Sequence, residues 1–205
     1  MAKEGRPPSF GLDAMAAAAR TAGGRGPPPV DQWNPPYCGE IDMRIGGDGT
    51  WYYQKSPIGR PALVKLFASI LKREDDRYYL VTPVEKCGIV VDDAPFLAVE
   101  LKIEHSAATD PRKQSTFLRF RTNVDDWIEC GQDHPIHFEV ETETGGLKPY
   151  LHVRRNLWAK VTRAIYYDLV DLGEERQVDG VGMFGICSHD QFFPMAPADS
   201  LKGLS

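Results

Sequence analysis

The sequence is short of the features that usually betray a membrane protein or a familiar enzyme. No stretch approaches the roughly 18 apolar residues of a membrane span. The alanine-rich run from Met15 to Ala19 is stopped by Arg20, with Asp13 just ahead of it, so it is also too short for a secretory signal core. The protein is therefore expected to be soluble and cytoplasmic, with no membrane partner. Cysteine is sparse: Cys38, Cys87, Cys130 and Cys187 lie far apart, with no CxxC and no zinc-type Cys/His spacing. Without a secretory signal they read as reduced thiols packed in the interior. Basic charge is scarce as well. Lys and Arg total 24 against 29 Asp and Glu, a net charge of −5, which argues against general nucleic-acid binding but leaves room for a local basic pocket.

Catalytic and metal-binding constellations are missing too. His134 and His137 are three apart on an expected strand and so point to opposite faces. His189 sits beside Asp190, and His105 and His152 are isolated. Asp92-Asp93 and Asp125-Asp126 read as turns rather than as an acid and its base. There is no nucleophile elbow, no phosphate loop and no defensible Ser/His/Asp or Cys/His arrangement. No catalytic residue and no metal ligand is assigned, and the cofactor stays unknown.

What is present is enough apolar sequence for a core: 42% of 205 residues, sufficient for one domain or two small ones. Residues 1–30 are rich in Ala, Gly, Pro and Arg and are expected to be a disordered leader, with a helical turn or two around Leu12 to Ala22. From Trp33 the pattern sharpens. Ile41 to Ile45 alternates, Gly46-Gly47-Asp48-Gly49 signals a turn, and Thr50 to Gln54 is rich in strand formers, which together predict a hairpin. Pro61 suits a first helical turn, and Leu63, Leu66, Phe67 and Ile70 fall on one helical face. Tyr78 to Thr82 reads as a strand ended by Pro83.

Beyond Gly88 the chain reads mainly as strands. Leu97, Val99, Leu101 and Ile103 are expected on one face of one strand, and Arg119 and Arg121 together on another. A second helix is predicted from about Asn156, with Leu157, Val161, Ala164, Ile165 and Leu169 as its buried stripe. The tail after Pro197 looks loose.

The two predicted helices begin alike, Arg60-Pro61-Ala62-Leu63 beside Arg155-Asn156-Leu157-Trp158, which points to an internal repeat. The expectation is an α+β protein of two related small domains, 31–86 and 87–205, each a hairpin–helix–strand unit. Small-molecule sites form readily at such a seam.

The motifs W-N-P-P-Y-C-G (Trp33 to Gly39), I-D-M-R-I with D-G-x-W (Ile41 to Trp51), S-P-I-x-R (Ser56 to Arg60), Y-Y-L-V-T-P-V-E-K (Tyr78 to Lys86) and F-R-T-N (Phe120 to Asn123) resemble a bacterial family, domain of unknown function 1285. The resemblance implies a duplicated α+β core and a C-terminal half loosely similar to pleckstrin-homology folds. It further implies a nucleotide-like ligand at the domain interface and a part in signal transduction.

The sharpest candidate residues are Arg60 and Arg155, read as sitting at helix N-termini, where an arginine and free N–H groups suit a phosphate or carboxylate. The plainer alternative is an ion pair with an acidic residue. Arg119 and Arg121, with Trp51 and Tyr53, would hold a planar base by stacking and its phosphates by charge; the plainer alternative is core packing for the aromatics and solvent for the arginines. Ser56 in its loop, Thr82 and Glu85 after one strand, and Asn123 after another are candidate pocket polar groups, otherwise simple turn formers. The expected function is binding of a nucleotide-like or other anionic small molecule. The rivals are an enzyme acting on a phosphorylated or nucleotide substrate, with Glu85 as its titratable group, and a protein–protein adaptor. Composition does not decide oligomeric state.

Overall fold

Two six-stranded sheets, each with a parallel pair at its centre, organise the polypeptide. A computed structural model describes residues 12–22, 27–106, 115–142 and 144–201. The disorder expected of residues 1–11 and 23–26 lies outside the described residues. The chain divides into two units between Asp93 and Ala94. This is beyond the boundary read at 86/87, because 86–91 is a strand at the middle of the first sheet.

The first unit contains α1 (Leu12–Ala22), β1 (Tyr37–Ile45), β2 (Trp51–Tyr53), β3 (Ser56–Pro57), α2 (Pro61–Ser69), β4 (Leu71–Glu74), β5 (Arg77–Val81) and β6 (Lys86–Val91). Its sheet runs β3-β2-β1-β6-β5-β4. The expected hairpin forms between β1 and β2, with Ile45 opposite Trp51. Asp48 fastens the turn, since its carboxylate accepts from Thr50 N and Thr50 Oγ1, both at 3.0 Å. Gly49 supplies φ +77° there, and Gly39 φ +97° at a register break in β1, backbone that a side chain would strain.

β1 and β6 are parallel, so no tight turn can join them. The chain runs outward through β2 and β3, crosses by α2 and returns through β4 and β5. Pro61 opens α2, and Leu63, Phe67 and Ala68 are its buried residues. Phe67 stacks on Trp51 with ring centres 6.4 Å apart and planes 22° apart, and both rings are fully buried. Within the stretch read as leader, α1 packs on α2 and buries Met15, Ala16 and Ala19.

The second unit contains β7 (Phe96–His105), β8 (Thr116–Thr122), β9 (Trp127–Glu129), β10 (Ile136–Val140), β11 (Leu147–Arg154), β12 (Leu157–Val161), α3 (Arg163–Asp171), β13 (Glu174–Val178), β14 (Val181–Ser188), β15 (Gln191–Pro197) and a final turn of helix, α4 (Ala198–Leu201). Helix α4 occupies part of the tail read as loose. The sheet order is β9-β8-β7-β12-β11-β10, the order of the first sheet repeated, with β7 and β12 as the parallel pair. The duplication is therefore real, and the α+β class with two related units holds.

The residue correspondence used to infer the repeat does not hold. Leu157–Val161 is a strand, not the start of a helix, because Arg155 and Asn156 form the tight turn between β11 and β12, with Arg155 at φ +52°. In the first unit the helix lies inside the crossover. In the second it follows the sixth strand. The alternation read along β7 is also interrupted. Ala98 pairs with Thr122 but Glu100 with Arg121, so Val99 is an extra residue, exposed at the bulge. The buried set is Phe96 and Ala98 before it, while Leu101 and Ile103 take that face after it, opposite the buried Phe120 and Leu118.

Beside this sheet stands a second, three-stranded one, β13-β14-β15. Ser188 Oγ ties the two together, donating to Cys130 O at 2.6 Å and accepting from Leu118 N at 3.0 Å. Helix α3 buries Ile165 and Leu169. Among the described residues no helix is long and apolar enough to cross a membrane.

The Phe67–Trp51 stack anchors the first crossover. Phe67→Ala should lower the unfolding free energy of that unit by about 3–5 kcal/mol, read from urea denaturation followed by Trp fluorescence. A loss below about 1 kcal/mol would mean that α2 is not held by this contact.

Candidate functional site

The residues singled out from the sequence take very different positions. In the first unit Trp51 is core, 1% exposed beneath α2, and offers no free ring face. Tyr53 is half-buried, and Ser56 is exposed on the edge strand β3. Arg60 caps α2 through its backbone and is exposed, with no acidic partner among the described residues.

Thr82 and Glu85 belong to one turn. The Thr82 hydroxyl, 1% exposed, accepts from Glu85 N at 3.2 Å, and Thr82 N donates to Glu85 O at 2.9 Å. Thr82 is thus a turn former. Glu85 is 6% exposed, and burial pushes its carboxyl above the usual range. Cys87, two residues on along β6, is pushed up to about 12, mainly by burial and then by the nearby Glu85.

In the second unit the two strand arginines do share a face, but acidic neighbours meet them. Arg121 Nε donates to Glu100 at 2.7 Å and its NH1 to Asp125 at 2.8 Å. Arg119 lies 3.5 Å from Glu104 and over the Trp127 ring at 5.5 Å. Asn123 is a structural link, accepting from Leu97 N at 3.0 Å through Oδ1. Arg155, expected at a helix N-terminus, occupies the β11–β12 turn instead. Its carbonyl faces His152 Nε2 at 2.5 Å.

A better-formed site lies in this same unit, where the β10–β11 hairpin, the end of β12 and the start of α3 converge. The cavity is about 460 Å³. Among the described residues three cations line it, Lys148, Lys160 and Arg163, with the rings of Tyr166 and Tyr167 and one carboxylate, Glu141. Sheet register explains the lysines: Lys160 stands opposite Tyr150, two residues along β11 from Lys148, so both project from one face. Arg163 is the first residue of α3, and Thr162, its N-cap, makes no side-chain cap, so the N–H groups of that first turn have no side chain closing them off.

The electrostatics follow. Glu141 is ion-paired with Lys148 and accepts from Thr144 Oγ1 at 2.5 Å. These contacts, then Lys148 and Lys160 through space, hold its carboxyl below the usual range. Arg163 Nε donates to Tyr167 OH at 2.9 Å, with its guanidinium 5.7 Å from that ring's centre. No carboxylate pairs with it among the described residues. Among the described residues three positive groups stand beside one negative, a lining suited to an anion, with tyrosine rings to take a flat or apolar part. Lys160 is not among the residues singled out from the sequence. The available signal was Arg163 and Tyr167 four apart on a helix, obscured because the helix was expected to start before Arg163.

Comparison with known proteins fits both units. Residues 28–94 match the profile described as domain of unknown function (DUF1285), N-terminal domain. Residues 95–195 match protein of unknown function (DUF1285), C-terminal domain. A crystal structure of a DUF1285 family protein from Silicibacter pomeroyi DSS-3 is similar, with 50% identity, a TM-score of 0.79, and coverage of 94% of this chain and 98% of that one. A second, from Shewanella baltica OS155, has 30% identity, a TM-score of 0.47, and coverage of 64% and 91%. No curated protein matches the chain.

Glu85 yields a pH prediction. A carboxyl whose folded pKa is raised binds its proton more tightly in the folded state, so its stabilising contribution is present at low pH and is lost as pH rises through the folded pKa. Glu85→Gln should therefore raise Tm at neutral pH, with the gain shrinking as pH falls through the raised folded pKa and gone below about 4. A lowered Tm at pH 7 would show that the carboxylate has a stabilising partner.

Proposed function

The chain belongs to the DUF1285 family, and from that footing we propose that it is a binding protein for a small anionic molecule of nucleotide-like kind, a receiver of a chemical signal rather than the catalyst of a reaction. One observation carries the reading: the cavity in which, among the described residues, Lys148, Lys160 and Arg163 face one carboxylate beside two tyrosine rings. Phosphate or carboxylate oxygens pair with Lys160 and Arg163 and take N–H groups of α3. The guanidinium fork of Arg163 keeps donors free after its bond to Tyr167. A planar portion lies against Tyr166 and Tyr167. The four cysteines carry no disulfide, which supports a reducing, cytoplasmic setting.

The test is a thermal-shift screen of inorganic phosphate, nucleoside monophosphates and small carboxylates, followed by calorimetry. A ligand at about one hundred times its Kd stabilises the folded state by about 2.7 kcal/mol, readily seen as a rise in Tm. Lys160→Met and Arg163→Met should each weaken the confirmed anion by roughly tenfold. Unchanged affinity in both variants would remove this cavity as the site. Consumption of the ligand on incubation would favour the enzyme reading.

A further inference from the structure

A second concavity of the C-terminal unit has the opposite polarity. Leu101 and Ile103 from β7 and Leu172, just past α3, form the floor of a groove of about 360 Å³, and Asp168 and Asp171 form its rim. Ile103 is 48% exposed and Leu172 39%, and with Leu101 they make a contiguous apolar surface open to water. Asp168 and Asp171 are three apart and so lie on one side of α3. Both are exposed, and among the described residues neither is paired with a cation.

Their placement is unfavourable for the helix by itself. The C-terminal end of a helix carries partial negative charge and favours Lys, Arg or protonated His. Yet α3 ends in Asp171, with Asp168 one turn earlier and no basic residue in its last turn. The following strand continues the charge, with exposed Glu174 and Glu175, of which Glu174 is matched by Arg176. Two unmatched carboxylates and a helix C-terminus therefore add their fields over an apolar floor.

We propose that this groove is a docking surface for a cationic segment of a partner protein, one that places an aliphatic side chain on Leu101, Ile103 and Leu172 and its Lys or Arg side chains against Asp168 and Asp171. Charge complementarity selects this occupant. A metal ion would not use the apolar floor, and among the described residues no cluster of three ligating side chains exists to hold one. An anionic membrane surface would be repelled by the rim. Burial of the floor supplies the affinity, and the carboxylates supply the orientation and the rate of encounter. This surface is independent of the anion cavity: it shares none of that cavity's lining residues.

The experiment uses the full chain and a fluorescent synthetic peptide in which leucines alternate with pairs of lysines, followed by anisotropy. Two control peptides keep either feature alone, one with lysine and alanine, the other with leucine and glutamate. Binding of the lysine–leucine peptide is expected, weakened roughly tenfold or more by Asp168→Lys together with Asp171→Lys and likewise by Ile103→Asp. All three positions are exposed, and a Tm that is not lowered confirms that the variants fold. Equal binding by the charge-reversed variant would overturn the proposal. So would equal binding of the lysine–alanine peptide, which would reduce the effect to the net charge of −5. Concentration-dependent dimerisation in sedimentation, abolished by Ile103→Asp, would overturn it in favour of a second copy of the chain.

Discussion

Everything in the structure depends on a parallel pairing in the middle of each sheet. β1 lies beside β6 and β7 beside β12, with the same direction in each pair. Parallel neighbours cannot be joined by a hairpin, so a long excursion must separate them in sequence. The chain solves this the same way twice: a three-stranded meander outward, a crossing, and a three-stranded meander back to the centre. Only the crossing differs. In the first unit it is α2, pinned by the Phe67–Trp51 stack. In the second it is the stretch between β9 and β10, tied by the Gly131 N to His134 O hydrogen bond at 3.2 Å, and the helix is displaced to follow β12.

That displacement creates the cavity lined by Lys148, Lys160 and Arg163. Because α3 begins directly after β12, its first turn lies at the end of the sheet, beside the β10–β11 hairpin. Lys160 from the strand, Arg163 from the helix and Lys148 from the hairpin then converge. In the first unit the helix starts from the edge strand β3 instead, with Arg60 at its N-cap. The insertion point of a single helix thus sets which side chains the same topology gathers beside it.

Much of this was legible in the residues, and the failures have identifiable causes. The β1–β2 turn could be read because Gly46-Gly47-Asp48-Gly49 is local chemistry, complete within a few residues. Helix α2 could be read because Pro61 and the spacing of Leu63 and Phe67 agree. The stretch Leu157–Val161 could not. Buried strands that carry an apolar residue at every second position place Leu157 and Val161 four apart, the same interval a helix uses, and Ile165 and Leu169 continue that interval into the true helix. Nothing local marks the change of period. Trp51 misled for a related reason: an aromatic on a strand reads the same whether it faces a ligand or α2. Arg119 and Arg121 were placed correctly on one face, but their partners Glu100 and Glu104 come from the neighbouring strand, and cross-strand register is not written in either strand alone. The cavity residues arise from separate elements spread over residues 141–167, so no single helix or strand pattern brings them together.

The two ends of α3 can be compared on one physical scale. A helix of nine residues spans roughly 13 Å, and its aligned peptide dipoles leave positive charge at Arg163 and negative charge at Asp171. At each end the side chains match the sign already present rather than offset it. Arg163, with Lys148 and Lys160 near it, adds positive charge to the positive end, and Asp168 and Asp171 add negative charge to the negative end. A helix selected for its own stability would carry the reverse arrangement, since each such charge is worth only a few tenths of a kcal/mol to about 1 kcal/mol and reversal needs single substitutions. Polarity reinforced at both ends of one element is the arrangement that the proposed binding of an anion at one end and a cationic partner at the other calls for. The price falls on α3, whose hold on the sheet rests on Ile165 and Leu169 alone among its fully buried residues.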